Sequence, residues 1–189
     1  LWETFICRNE RSPYTDMLAL TGIPKIAAAI GKMNAGHALA AQDLIDLQFA
    51  SALGGQAISN VRTGLIHTLA ESLAPQTHLS HPETLWVFYA AARESYREHV
   101  ADRVAQVDAA LGGPGGLNRL DRAWRTALDQ TGIVESVSES VANAPPDVDA
   151  LMANAMRDTV LLKENPAPID WGGVRLIVRR ALGAIRVAA

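Results

Sequence analysis

The stretch Thr63-Gly64-Leu65-Ile66-His67-Thr68-Leu69-Ala70-Glu71-Ser72-Leu73, followed by Ala74-Pro75 and then by Gln76-Thr77-His78-Leu79-Ser80-His81-Pro82, decides the fold. Leu65, Ile66, Leu69 and Leu73 recur at intervals of three and four, the period of a helix with one apolar side. Ala74-Pro75 stops that helix, because proline has no amide hydrogen to continue the ladder. A short loop follows, and Pro82 suits the first position of the next helix. His67 falls in the middle of the first helix, and Glu71 lies one turn further along the same side. His81 falls at the entry of the second helix. The positive end of the helix dipole there disfavours a charged imidazole and so favours the neutral, metal-binding form.

Working outward, helical signals dominate. Ser12-Pro13 reads as a cap and first position, opening a helix through Met17, Leu18 and Leu20 with Asp16 in its first turns. Pro24 is expected to kink or break it. Ala41 to Ser59 carries Leu44, Ile45, Leu47, Phe49, Leu53 and Ile58. Apolar residues nearly all round predict a buried helix, and Gly54-Gly55 in its middle predict close approach of a neighbour. A long helix is expected from Pro82 to about Leu111, then a turn at Gly112-Gly113-Pro114-Gly115-Gly116. Further helices are expected at about Leu117–Gln130, Asp147–Leu162 and Trp171–Leu182. Strand patterns are nearly absent; Leu176-Ile177-Val178, the nearest, sits within a helical period. The expectation is a single all-α domain over residues 1–189, a helical bundle.

Composition bounds the function. The chain has 189 residues, 17 Lys and Arg against 20 Asp and Glu, and one Cys. A net charge of −3 with interspersed signs offers no basic field for nucleic acid. No apolar run reaches the ~18 residues of a membrane span. A lone Cys7 makes no disulfide framework, which points to a reducing, cytoplasmic setting and to an inert buried thiol. The glycine run lacks the preceding strand and following Lys-Ser/Thr of a phosphate loop. Arg175, Arg179, Arg180 and Arg186 read as solvent-facing charges near a helix C-terminus.

Two readings of the histidines remain open on spacing alone. His67 and His81 are either metal ligands brought together by the loop or ordinary histidines. Glu71 is either a solvated partner of His67 or a ligand, an acceptor orienting the imidazole, or a general base. His78 and His81 form H-x-x-H in a loop, which leaves their geometry unset.

The segment from Asn60 to Pro82 resembles the iron-containing (group III) alcohol dehydrogenases. That family carries a G-x-x-H-x-x-A-H signature and a further His ten residues on. Gly64, His67 and Ala70 match in place, and His81 falls at the last His. Glu71 stands where the family has its middle His, and Pro82 where it has Gly. Weaker likenesses run through Ser12–Leu20, Phe49–Ala57 and Leu161–Pro168, so the resemblance covers nearly the whole chain. It implies an all-α domain holding one Fe²⁺ or Zn²⁺ through an Asp and three His, of which His67 and His81 are the last two. It also implies an upstream α/β domain that binds NAD(P), with the chain starting at Leu1 just past the first ligand His.

The resemblance therefore points to the helical half of an oxidoreductase that interconverts a small alcohol and aldehyde. His67 and His81 are the expected metal ligands and Glu71 the expected catalytic proton relay. A face that normally meets the missing nucleotide domain is expected to drive homo-oligomers. The alternative is a stand-alone helical binding or scaffold module of the same descent, without redox activity.

Overall fold

The computed structural model describes residues 1–187, with side chains described through Ile185. Eleven α-helices and no strand occur among the described residues. The helices are α1 (Trp2–Ile6), α2 (Pro13–Asn34), α3 (Ala41–Asn60), α4 (Leu65–Leu73), α5 (His81–Ser95), α6 (Ala101–Ala110), α7 (Gly116–Gln130), α8 (Ile133–Asn143), α9 (Val148–Ala155), α10 (Thr159–Lys163) and α11 (Trp171–Val187). They fall into two compact units. Leu1–Arg62 with Val100–Gln130 form the first, and Thr63–His99 with Thr131–Ala189 the second.

In the first unit α2 is the spine, packed against α1, α3, α6 and α7. Ser12 caps it through a capping box with Thr15, whose amide donates to Ser12 Oγ at 3.3 Å. Of the kink or break expected at Pro24, the break does not occur; the helix continues for 22 residues. Proline removes one hydrogen bond, and packing against four neighbouring helices holds the rest. Arg103 of α6 is buried and ties the unit together. Its Nε donates to the Phe5 carbonyl at 3.0 Å, its Nη1 to Asp16 Oδ2 at 2.9 Å, and its guanidinium lies 3.5 Å from the Phe5 ring centroid.

The glycine run is a turn, as expected. Gly112, Gly113 and Gly115 take positive φ, and the Asp108 carboxylate accepts from the amides of Gly115 and Leu117 at 2.8 Å each. A Cβ on Gly116 would sit 2.6 Å from Leu111 Cβ, so only glycine fits there without a shift.

The α3 expectation is overturned. Only Ala50 and Ala57 of this helix are buried, while Leu44, Ile45, Phe49 and Ile58 stand about half exposed. One seam packs along α2, where Lys32 bonds Asp43 at 2.5 Å and Lys25 bonds Asp46 at 2.8 Å. Apolar content alone cannot say whether a helix has one packed face or two. Nor does Gly55 meet a neighbour; nothing lies within 4 Å of where its Cβ would be.

The second unit packs α4 against α5 and α9, and α11 against α5, α8 and α9. Leu65, Leu69, Leu73, Phe88, Ala92, Leu151, Val137, Val141 and Val174 are fully buried in its core. Three boundaries differ from the sequence reading. The long helix from Pro82 ends at Ser95, followed by a 3₁₀ turn at Arg97–Val100. The break falls at Tyr96, a buried residue whose backbone has left the helical region, where the chain passes between units. The expected helix over 147–162 is split into α9 and α10, because Asp158 accepts from the Leu161 amide at 3.0 Å and starts a new helix. Finally, α8 was not expected; its Val134, Val137 and Val141 have helical spacing, but their β-branching weakens the signal. Arg179 and Arg180 are exposed, as expected, and Arg175 donates to Asp149 at 2.9 Å; Arg186 lies outside the described side chains.

A candidate metal centre

The site is built by two consecutive helices of the second unit. In α4, Leu65, Ile66, Thr68, Leu69, Ala70, Ser72 and Leu73 are all buried. Only His67 and Glu71 are left facing outward, one turn apart, with His67 half-buried and Glu71 exposed. The buried hydroxyls are satisfied within the helix: Thr68 Oγ1 donates to the Gly64 carbonyl at 3.0 Å and Ser72 Oγ to the Thr68 carbonyl at 2.8 Å. They need no partner outside the helix, so the polar chemistry of α4 rests on His67 and Glu71.

The connection back to His81 is short and anchored. Ala74–Gln76 form a 3₁₀ turn, Leu79 is buried, and the Gln76 side-chain oxygen accepts from the Asp147 amide at 2.7 Å. Helix α5 then starts on His81 itself. Ser80 caps it, with its amide and hydroxyl donating to Glu83 Oε2 at 2.7 and 2.6 Å. Pro82 takes the second helical position, where its missing amide hydrogen costs nothing. His81 therefore sits in the first turn of a capped helix with its side chain exposed.

This brings the two imidazoles together. The ring centroids of His67 and His81 lie 5.5 Å apart, inclined at 58°. Two imidazoles sharing one tetrahedral ion at ~2.0–2.1 Å from each nitrogen would have centroids separated by about 5.3 Å. The ring separation is thus that of half of a four-coordinate donor set. The other half is not supplied nearby: no group of three or more His, Cys, Asp and Glu that could hold a metal ion occurs among the described residues. His37, His78 and His99 are exposed, as is His81 itself, while His67 is half-buried. A surface groove of about 490 Å³ in the same unit has His99 and Arg180 in its wall, but neither His67 nor His81. No described helix is long and apolar enough to cross a membrane.

Comparison with known proteins identifies the family. The model of the Fe-containing alcohol dehydrogenase family, C-terminal, matches residues 2–182. The long-chain-alcohol dehydrogenase 1 of Geobacillus thermodenitrificans is 26% identical over 185 residues, covering 95% of this chain and 46% of that protein. The probable alcohol dehydrogenase EutG of Salmonella typhimurium is 26% identical over 156 residues, covering 82% and 39%. The chain thus spans less than half the length of these relatives. Among solved structures, a 1,3-propanediol oxidoreductase shares the fold with a TM-score of 0.71 at 18% identity, over 95% of this chain and 48% of its own. An iron-containing alcohol dehydrogenase from Thermotoga maritima does so at 0.70 and 21%, over 96% and 45%. With nearly its whole length matched by the family model and its helices superposing on those enzymes, the chain belongs to the Fe-containing alcohol dehydrogenase family, as that family's C-terminal domain.

Proposed function

We propose that this chain is the metal-holding half of an alcohol dehydrogenase in which His67 and His81 supply two ligands to one Fe²⁺ or Zn²⁺. The observation that carries the reading is the 5.5 Å approach of the two rings, on helices whose packing and capping set the backbone at both positions. The remaining two ligands, an Asp and a His, come from a D-x-x-x-H on the helix that opens the helical domain, and the NAD(P) site from a nucleotide-binding domain of the complete protein, a reading supported by the half-length match to its relatives. When bound, the ion polarises the oxygen of a small alcohol or aldehyde while the nicotinamide exchanges hydride with its carbon.

The chain's own part is to position and to move a proton. The buried side of α4 sets the backbone position of His67, and the Ser80–Glu83 box that of His81. In this reading Glu71, one turn from His67 and exposed, takes the proton that leaves the alcohol as it is oxidised and returns it in the reverse direction. The complete protein is cytoplasmic and self-associates in this reading. A second reading, a non-catalytic helical module, is favoured by the absence of a third metal-capable side chain beside the pair among the described residues.

Elemental analysis of the complete gene product distinguishes them. One Fe²⁺ or Zn²⁺ per chain is expected, with loss of at least nine-tenths of it in His67→Ala and in His81→Ala at unchanged helicity. Stoichiometric metal retained in both variants would refute the assignment.

A further inference from the structure

The groove of about 490 Å³ in the second unit lies apart from the metal site and within the size range of small-molecule pockets, ~300–1,000 Å³. Its walls are the end of α5 with the 3₁₀ turn after it, the loop leading into α11, and the first turns of α11. Gly173, Leu176, Ile177 and Arg180 recur at three and four along α11, so one face of that helix forms a wall. Ala167 and Ile177 are buried and make an apolar floor, which the half-exposed Leu176 continues outward.

The polar groups on the walls divide into those already engaged and those left over. Glu94 and Arg97 pair with each other at 3.6 Å. Asp170 accepts from the Gly173 amide at 2.7 Å and so caps α11, and the Ser95 hydroxyl donates to the Ala92 carbonyl at 2.6 Å. The side chains of Glu98 and Arg180 make no hydrogen bond or ion pair among the described residues, nor does the exposed imidazole of His99. What is left over an apolar floor is one carboxylate, one guanidinium and one imidazole.

This content selects the occupant. An anion alone would leave Glu98 unanswered and would meet the carboxylates of Glu94 and Asp170 as well. A cation alone would leave Arg180 unanswered. A protein surface seated here would bury all the ionisable side chains of the lining, whereas the cores of protein interfaces are depleted in charge. The rest of a longer protein must also reach His67 and His81 to complete their ion, and the groove lies at the opposite end of α5, about 21 Å from His81 along the helix.

We propose that this groove binds a small zwitterion, an α-amino acid with an apolar side chain. Its carboxylate pairs with Arg180, whose planar fork donates two parallel hydrogen bonds. Its ammonium pairs with Glu98, and its side chain lies on Ala167 and Ile177. This goes beyond the metal-site reading and uses none of its residues.

Ligand-observed NMR titration of the complete gene product with three probes of one shape tests this. The probes are leucine, 4-methylpentanoate, which lacks the ammonium, and isoamylamine, which lacks the carboxylate. Leucine is expected to bind with a dissociation constant of about 1 mM, and each single-charge probe about fivefold more weakly. Arg180→Gln brings leucine down to the affinity of isoamylamine, and Glu98→Gln to that of 4-methylpentanoate, each with unchanged circular dichroism. Absence of leucine binding at about 20 mM overturns the proposal. Leucine bound no more tightly than a single-charge probe, or binding that survives both substitutions, overturns it too. Metal content is read separately, so this site and the metal site fail independently.

Discussion

Removing the carboxylate of Asp16 should cost more stability than any exposed ion pair in the molecule. Arg103 is only 5% exposed, and its charge is compensated by three things: the Phe5 carbonyl, the Phe5 ring and Asp16. In Asp16→Ala the guanidinium keeps the carbonyl and the ring but loses its counter-ion. Leaving a buried charge unpaired costs about 3–5 kcal/mol. The Asp16 side chain is 24% exposed, so water enters the gap and the lower end, about 3 kcal/mol, applies. Arg103→Met removes the charge instead and orphans the Phe5 carbonyl, at about 2 kcal/mol, while the methionine retains part of the packing. Because Asp16→Ala hurts only when Arg103 is charged, the double variant should cost about 2 kcal/mol, as Arg103→Met does alone, rather than the sum of about 5, a coupling of about 3 kcal/mol. The assay is urea unfolding followed by circular dichroism. With a slope of about 2–3 kcal/mol/M for a chain of this size, Asp16→Ala lowers the midpoint by about 1 M. Additive effects, or a loss below about 0.5 kcal/mol in Asp16→Ala, would refute the account of Arg103 as a buried charge held by its partners.

Two further predictions concern the first unit. Hydrogen bonds from Lys32 and from the Ala40 amide hold the Asp43 carboxyl below its ordinary range, and a hydrogen bond from Lys25 does the same for Asp46. A carboxyl whose folded value is depressed adds stability that is present above the unfolded value near 4 and is lost as pH falls through the folded value. The stability gap between the native chain and Asp43→Asn/Asp46→Asn should therefore be constant from pH 7 to about 5 and close below about 4; a gap that widens on acidification would contradict the pairing. Glycine substitutions should split in sign. Gly116→Ala drives a Cβ to 2.6 Å from Leu111 Cβ and 3.1 Å from the Asp108 carbonyl, costing about 1–3 kcal/mol. Gly31→Ala, with open space on an exposed stretch of α2, should gain about 0.5–1 kcal/mol, and thermal unfolding of the two variants reads both shifts.

Much of the molecule was legible before any coordinates. The 3–4 spacing of Leu65, Ile66, Leu69 and Leu73, the Ser12-Pro13 start and the glycine run each act within one or two turns of chain, and each appears in the structure where expected. The likeness around Gly64, His67, Ala70 and His81 pointed to the family that nearly the whole chain matches. Local signals also misled where they were weak or contested. Pro24 was outvoted by the neighbours of α2, the valines of α8 hid a helix, and the side chain of Asp158 divided one helix into two.

Other features belonged to the tertiary structure alone. Sequence spacing put His67 and His81 fourteen positions apart and left their meeting open. The anchored turn through Leu79 and Gln76, and the start of α5 on His81, brought the rings to 5.5 Å. Hydrophobic content marked α3 for burial, yet it packs along α2 and leaves its other side exposed. Arg103 read as an ordinary charge and is a buried one. Periodicity reports which side of a helix is apolar because a turn is a property of a few adjacent residues. How many sides find a partner, and which distant side chains converge, depends on the docking of whole helices, and no short stretch of chain encodes that.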